Sequence, residues 1–118
     1  MYKSEVKKIT QNIKKALDAN KAINIEIIDL KNKSTIADYM IIATGTSSRH
    51  MQSLSERVLG IFKNSGIKNP FLEGKNSPEW KLIDGKDVIV HIFHPEKRKF
   101  YDLEKMWSEL IPKERLTL

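Results

Sequence analysis

Two stretches of this sequence, residues 38–44 (DYMIIAT) and 87–93 (DVIVHIF), are apolar on both alternating faces. Successive side chains of a strand point to opposite sides of its sheet. A strand without a polar side therefore needs cover above and below. Such strands belong at the centre of a sheet that has other layers packed on it, which restricts the chain to the α/β or α+β classes. Its 118 residues suit a single domain spanning 1–118, and a hydrophobic content of 40% can fill one core.

The flanking segments supply the layers. Val6, Ile9, Ile13, Ala16 and Leu17 recur at helical spacing over residues 4–19, with Lys3, Lys7, Lys8, Lys14 and Lys15 on the other side. Residues 22–29 (AINIEIID) read as a strand, with Ile23, Ile25 and Ile27 on one face and Asn24 and Glu26 on the other. Thr46 or Ser47 caps a helix that runs to Asn64 and stops at Gly66, and Met51, Leu54, Val58, Ile61 and Phe62 form its buried stripe. Residues 68–73 form a short strand weakened by Pro70, and 79–83 (EWKLI) a further one. Asp84-Gly85-Lys86 is a hairpin turn into 87–93. Pro95 opens a last helix with Phe100, Leu103, Met106, Trp107 and Leu110 inward, ended by Pro112, and the tail 112–118 is expected to be flexible. The expectation is a mixed β-sheet of about five strands with helices packed on it.

Chemistry is sparse. The stretch IIATGTSSRH resembles a strand, a tight turn and a helix start, where free N–H groups can bind an anion. A Walker loop needs G-x-x-x-x-G-K-[ST] and a dinucleotide loop G-x-G-x-x-G, whereas only Gly45 is present. A capped joint, with Gly45 turning the chain, is the simpler reading and a phosphate cradle the competing one. His91 and His94 stand three apart and so on opposite strand faces, and no metal is expected. Asp84 and Asp87 flank a turn, a role that suits aspartate better than a metal pair. No nucleophile has an evident base and acid partner, so neither catalysis nor a cofactor is expected. With no cysteine, no export signal and no run of 18 apolar residues, the expectation is a cytoplasmic protein without disulfides. The net charge of +6 biases the chain toward acidic partners, RNA among them, although the early lysines also fit a solvated helix face.

Aromatic residues near charges carry more information. Tyr101 falls about 140° from the centre of its helix's apolar stripe, at about 100° per residue, among Arg98, Asp102 and Lys105. Trp80 begins a strand beside a polar loop. Both suit a protein-binding patch, and Trp80 folded over the sheet edge as core is the alternative.

ADYMIIATGTSSRHMQSL resembles the first signature of the iojap-type ribosomal silencing factors, and EWKLIDGKDVIVHIFHPEKRKFYDLEKMW resembles the second. Order and spacing agree from the N-terminal helix to about residue 110. The resemblance implies a nucleotidyltransferase-like scaffold without its D-x-D metal pair, since Ile89 stands two residues after Asp87. It implies binding to the large ribosomal subunit through its fourteenth protein, a steric block to small-subunit joining, and lowered translation when nutrients run short. A homodimer, a secondary ribosomal RNA contact and no catalysis are implied too. The expected partner-binding residues are Trp80, Asp84, His91 and Tyr101, with Arg49 and His50 second. A nucleotide-dependent transferase and a direct RNA-binding module are the alternatives. One departure stands out: the family usually has Asp-Tyr-Gly-Asp where this chain has Asp84-Gly85-Lys86-Asp87. The turn lacks that aromatic and gains a positive charge.

Overall fold

β2 (Tyr39–Thr44) and β5 (Val88–Phe93) lie side by side and parallel at the middle of the sheet, and every residue of both is buried. They are the two stretches that lack a polar face. The computed structural model describes residues 2–33 and 35–97, with side chains from Glu5 onward. Around the central pair the order is β1-β2-β5-β4-β3, with β1 (Ile23–Asp29), β3 (Phe71–Glu73) and β4 (Trp80–Asp84) each antiparallel to its neighbour. After β2, α2 (Ser48–Asn64) carries the chain to the far edge, and β3, β4 and β5 then step back to meet β2. The parallel pair is therefore closed by a meander rather than by a direct strand-helix-strand step.

One face of the sheet is covered by α1 (Tyr2–Ala19) and α2. Val6, Ile13 and Leu17 of the first helix and Met51, Leu54, Val58 and Phe62 of the second pack on Ile41, Ala43, Val90 and Ile92. Each such side chain, fully buried, stabilises the fold by about 1.5–3 kcal/mol. The other face carries a second cluster of Leu30, Ala37, Met40, Ile42, Ile89 and Phe93, with Ile28, Trp80 and Leu82 against it.

The joints explain the helix ends. Ser47 is the N-cap, accepting the His50 N–H at 3.0 Å. At the other end Gly66 takes φ +84, its N–H reaching the Lys63 carbonyl while that of Ile67 reaches the Phe62 carbonyl, a Schellman stop. Gly45 is not the turning residue expected of it. Its φ is not positive, and a Cβ there would run into Met51, so the glycine lets the start of α2 approach the end of β2.

Two further expectations need correction. A bulge lies between Ile23 and Glu26, with Asn24 at φ +51, so Ile23 pairs with Thr44 and falls on the opposite face from Ile27. Ile23 is accordingly exposed while Ile25 and Ile27 join the core. β3 is only three residues long, because Asn69 has φ +54 and Pro70 has no N–H to give a ladder. The Asp84-Gly85-Lys86 hairpin turn forms as expected, with Lys86 left-handed at φ +74. Residues 95–97 begin a helical turn at Pro95. The stripe expected beyond it, with Tyr101, and the tail 112–118 lie outside the described residues.

Candidate partner-binding site

Register brings Trp80, Leu82 and Asp84 of β4 onto the same face as Ile89, His91 and Phe93 of β5, with Trp80 opposite Phe93 and Leu82 opposite His91. Trp80 donates its indole N–H to Nδ1 of His91 at 3.3 Å. Nδ1 is thus the acceptor, which leaves the ring proton on Nε2. His91 in turn stacks on Phe93, with centroids 5.8 Å apart and planes 4° from parallel. The three rings form a ledge at the ends of the central strands. Burial pushes the His91 pKa down to about 4, so this imidazole is neutral near pH 7.

The ledge is held from the loop before it. Ser77 Oγ accepts the N–H groups of Glu79 and Trp80, both at 3.2 Å. Lys81 points to the helix side of the sheet and is only 3% exposed. Its ammonium donates to the carbonyls of Gly74, Lys75 and Ser77 at 3.0, 2.8 and 3.3 Å. A buried cation without a carboxylate is unusual. Here three carbonyl oxygens take its three N–H bonds, and desolvation lowers its pKa. Sequence reading missed Lys81, because a lysine alternating with Trp80 and Leu82 reads as solvent-facing. The signal was the Gly74–Pro78 segment, rich in turn residues, which folds over it.

The expected site residues are only partly gathered. Trp80 and His91 touch, and Trp80 is half-buried, so it is core on one side and surface on the other. His91 is 8% exposed and supports the indole rather than facing outward. Asp84 shares the face but sits four residues along β4, roughly 13 Å at about 3.3 Å per residue, and its carboxylate accepts the Lys86 N–H at 2.7 Å. Arg49 and His50 lie at the start of α2, in a shallow cleft of about 460 Å³ shared with Lys21 and Ser53. His50 Nδ1 accepts the Thr46 N–H at 2.9 Å and Nε2 donates to the Asn20 carbonyl at 2.7 Å. The ring ties the end of α1 to the start of α2. The N–H groups of Thr46, His50 and Met51 are thus engaged within the joint.

At the turn after β4 the neighbouring aromatic comes from another element. A Cβ on Gly85 would overlap the Phe62 ring, so an aromatic from α2 occupies the space beside that residue. Among the described residues no group of three or more His, Cys, Asp or Glu could hold a metal ion, and no helix is long and apolar enough to cross a membrane.

A mixed five-stranded sheet, two helices on one face and a cluster of three rings on the other define an α/β domain. The chain belongs to the family described as ribosomal silencing factor during starvation, whose profile matches residues 3–117. It is 41% identical over 93 residues to ribosomal silencing factor RsfS of Zymomonas mobilis, covering 79% of this chain and 70% of that one. To the RsfS of Haemophilus influenzae it is 36% identical, with 85% and 98% covered. A crystal structure of a protein from Chromobacterium violaceum superposes with a TM-score of 0.80 at 33% identity, over 86% of this chain and 85% of that one.

Proposed function

We propose that this protein silences ribosomes by occupancy. It binds the large ribosomal subunit through that subunit's fourteenth protein, covers the surface the small subunit must meet, and so represses translation under nutrient limitation. It acts in the cytoplasm as a single domain, 1–118, without catalysis, alone or as a homodimer. The observation that carries this reading is the family match over nearly the whole chain, residues 3–117. The ledge geometry supports it. An aromatic anchor on a rigid sheet, braced from behind, is what a binding hot spot requires. In this reading Trp80 is the anchor and His91 its brace. Asp84 pairs with a basic residue of the ribosomal protein, Tyr101 adds a contact, and Arg49 and His50 lie at the margin.

Co-sedimentation with purified large subunits, with and without added small subunits, tests the reading. The protein is expected to stay with large subunits and to reduce joining. Trp80→Phe, which keeps an aromatic ring but removes the pyrrole half of the indole with its N–H, is expected to weaken retention several-fold while circular dichroism stays unchanged. Failure of the wild type either to be retained or to reduce joining sinks the reading. Full retention by both Trp80→Phe and Trp80→Ala removes Trp80 from the interface.

A further inference from the structure

The side of α1 turned away from the sheet has a charge pattern that helix stability does not explain. Lys7, Lys8, Lys14 and Lys15 are all exposed. At about 100° per residue, Lys7 lies within about 20° of Lys14, and Lys8 within about 20° of Lys15. The four make two rows with rungs about 10.5 Å apart at a rise of about 1.5 Å per residue. Lys21, seven residues after Lys14 and exposed, continues the track at φ +67, its N–H on the Asp18 carbonyl at 3.0 Å. There it lines the same cleft as Arg49. Arg57, also exposed, reaches in from α2 to Asn20 Oδ1 at 3.4 Å.

The acidic groups along this side are Glu5, Asp18 and Glu56. None of them makes an ion pair among the described residues, where the two found are Lys31–Asp29 and Lys97–Glu79. The five lysine ammonium groups likewise have no hydrogen-bond or ion-pair partner among the described residues. Nor does the macrodipole account for them. The last turn of α1, where cations are favoured, has no basic residue and holds Asp18.

From residue 7 to residue 15 the arc formed by Lys7, Lys8, Gln11, Asn12, Lys14 and Lys15 is exposed and without an apolar side chain, and Asp18 and Ala19 follow on it in the last turn. Protein interfaces need an apolar centre and are depleted in lysine. A phosphate backbone needs only regularly placed positive charge. We infer that this face is a track for the sugar-phosphate backbone of RNA, met on the same large subunit when the protein is bound. The inference rests on the proposed silencing reading for where that RNA is encountered. Because α1 lies on the opposite side of the sheet from Trp80, the domain contacts protein with one face and RNA with the other.

Binding of the full chain to purified large subunits, measured against salt concentration, tests this beside a second arm with the isolated fourteenth large-subunit protein. The variant carries Lys7→Gln, Lys14→Gln and Lys21→Gln, all surface changes, with its melting temperature as a control for folding. The expected result is weaker binding to subunits and a log K against log salt slope shallower by about 2, at roughly 0.7–0.9 per lost phosphate contact, with the isolated-protein arm unchanged. An unchanged slope on subunits that still bind overturns the RNA track and leaves the silencing reading standing. Equal losses in both arms place an acidic protein on the face instead and overturn it too. If the wild type does not bind subunits at all, the silencing reading fails and this inference fails with it.

Discussion

Lys86 holds φ at +74, a backbone conformation that costs a residue with a Cβ roughly 1–2 kcal/mol. Replacing it with glycine relieves that strain at the cost of extra entropy in the unfolded chain, about 0.5–1 kcal/mol. Lys86→Gly is expected to stabilise the domain by roughly 0.5–1 kcal/mol, read as a rise in the urea midpoint. His91 gives the clearest pH signature. Its pKa falls from 6.5 unfolded to about 4 folded, because burial penalises the imidazolium. Between those values the unfolded chain binds the proton and the folded one does not. The stability His91 contributes is therefore complete above pH 6.5 and is lost as pH falls through 4, to a total of roughly 3 kcal/mol. Urea unfolding at pH 7 and pH 4 is expected to show a smaller acid loss for His91→Gln than for the wild type. Equal losses would mean that protonated His91 finds a partner in the folded protein.

At the scale of elements, the strongest patterns carried over and the exceptions have local causes. The two strands without a polar face sit at the sheet centre, and the Ser47 cap and Gly66 stop bound α2 as their residue types require. The bulge in β1 was hidden because INIEIID alternates well enough to pass for a regular strand, and only the pairing with β2 shows the extra residue. The ledge was half legible. Trp80 stood out as an aromatic beside a loop, whereas its bond to His91 depends on β4–β5 register, which no single strand encodes. Lys81 could not be read as buried, because its partners are backbone carbonyls and leave no trace in side-chain pattern. That geometry makes a prediction about one loop. Lys81→Met keeps the stem and strips three carbonyls of a donor, and each buried group left unpaired costs about 1–3 kcal/mol. The loop is free to open to water and relieve part of this. Hydrogen exchange is expected to accelerate at Ser77 and Trp80, with the amides of β2 and β5 sped only by the global loss. Unaltered exchange at Ser77 would show that the Ser77 N–H bond to the Gly74 carbonyl and the Ser77 Oγ bonds hold the loop without Lys81.

For the molecule as a whole, silencing by occupancy and silencing by chemistry differ in stoichiometry. A protein that covers a surface removes one large subunit for each copy bound and acts only while it stays there. The covered fraction follows the dissociation constant and the free concentration. A catalyst that altered the subunit would instead act many times, and its effect would outlast its removal. Among the described residues three polar side chains have structural work: the His91 imidazole braces an indole, the His50 ring clamps two helices, and the Lys81 ammonium fastens a loop. Titrating the protein into large subunits held well above the dissociation constant, followed by small subunits, is expected to reduce joining linearly to a break at one protein per subunit. A protein that works as a dimer moves the break to two. Washing the treated large subunits in high salt is then expected to restore joining fully, since no bond has been made or cut. Silencing that saturates far below one copy per subunit, or that survives the wash, would assign the activity to a reaction rather than to a covered surface.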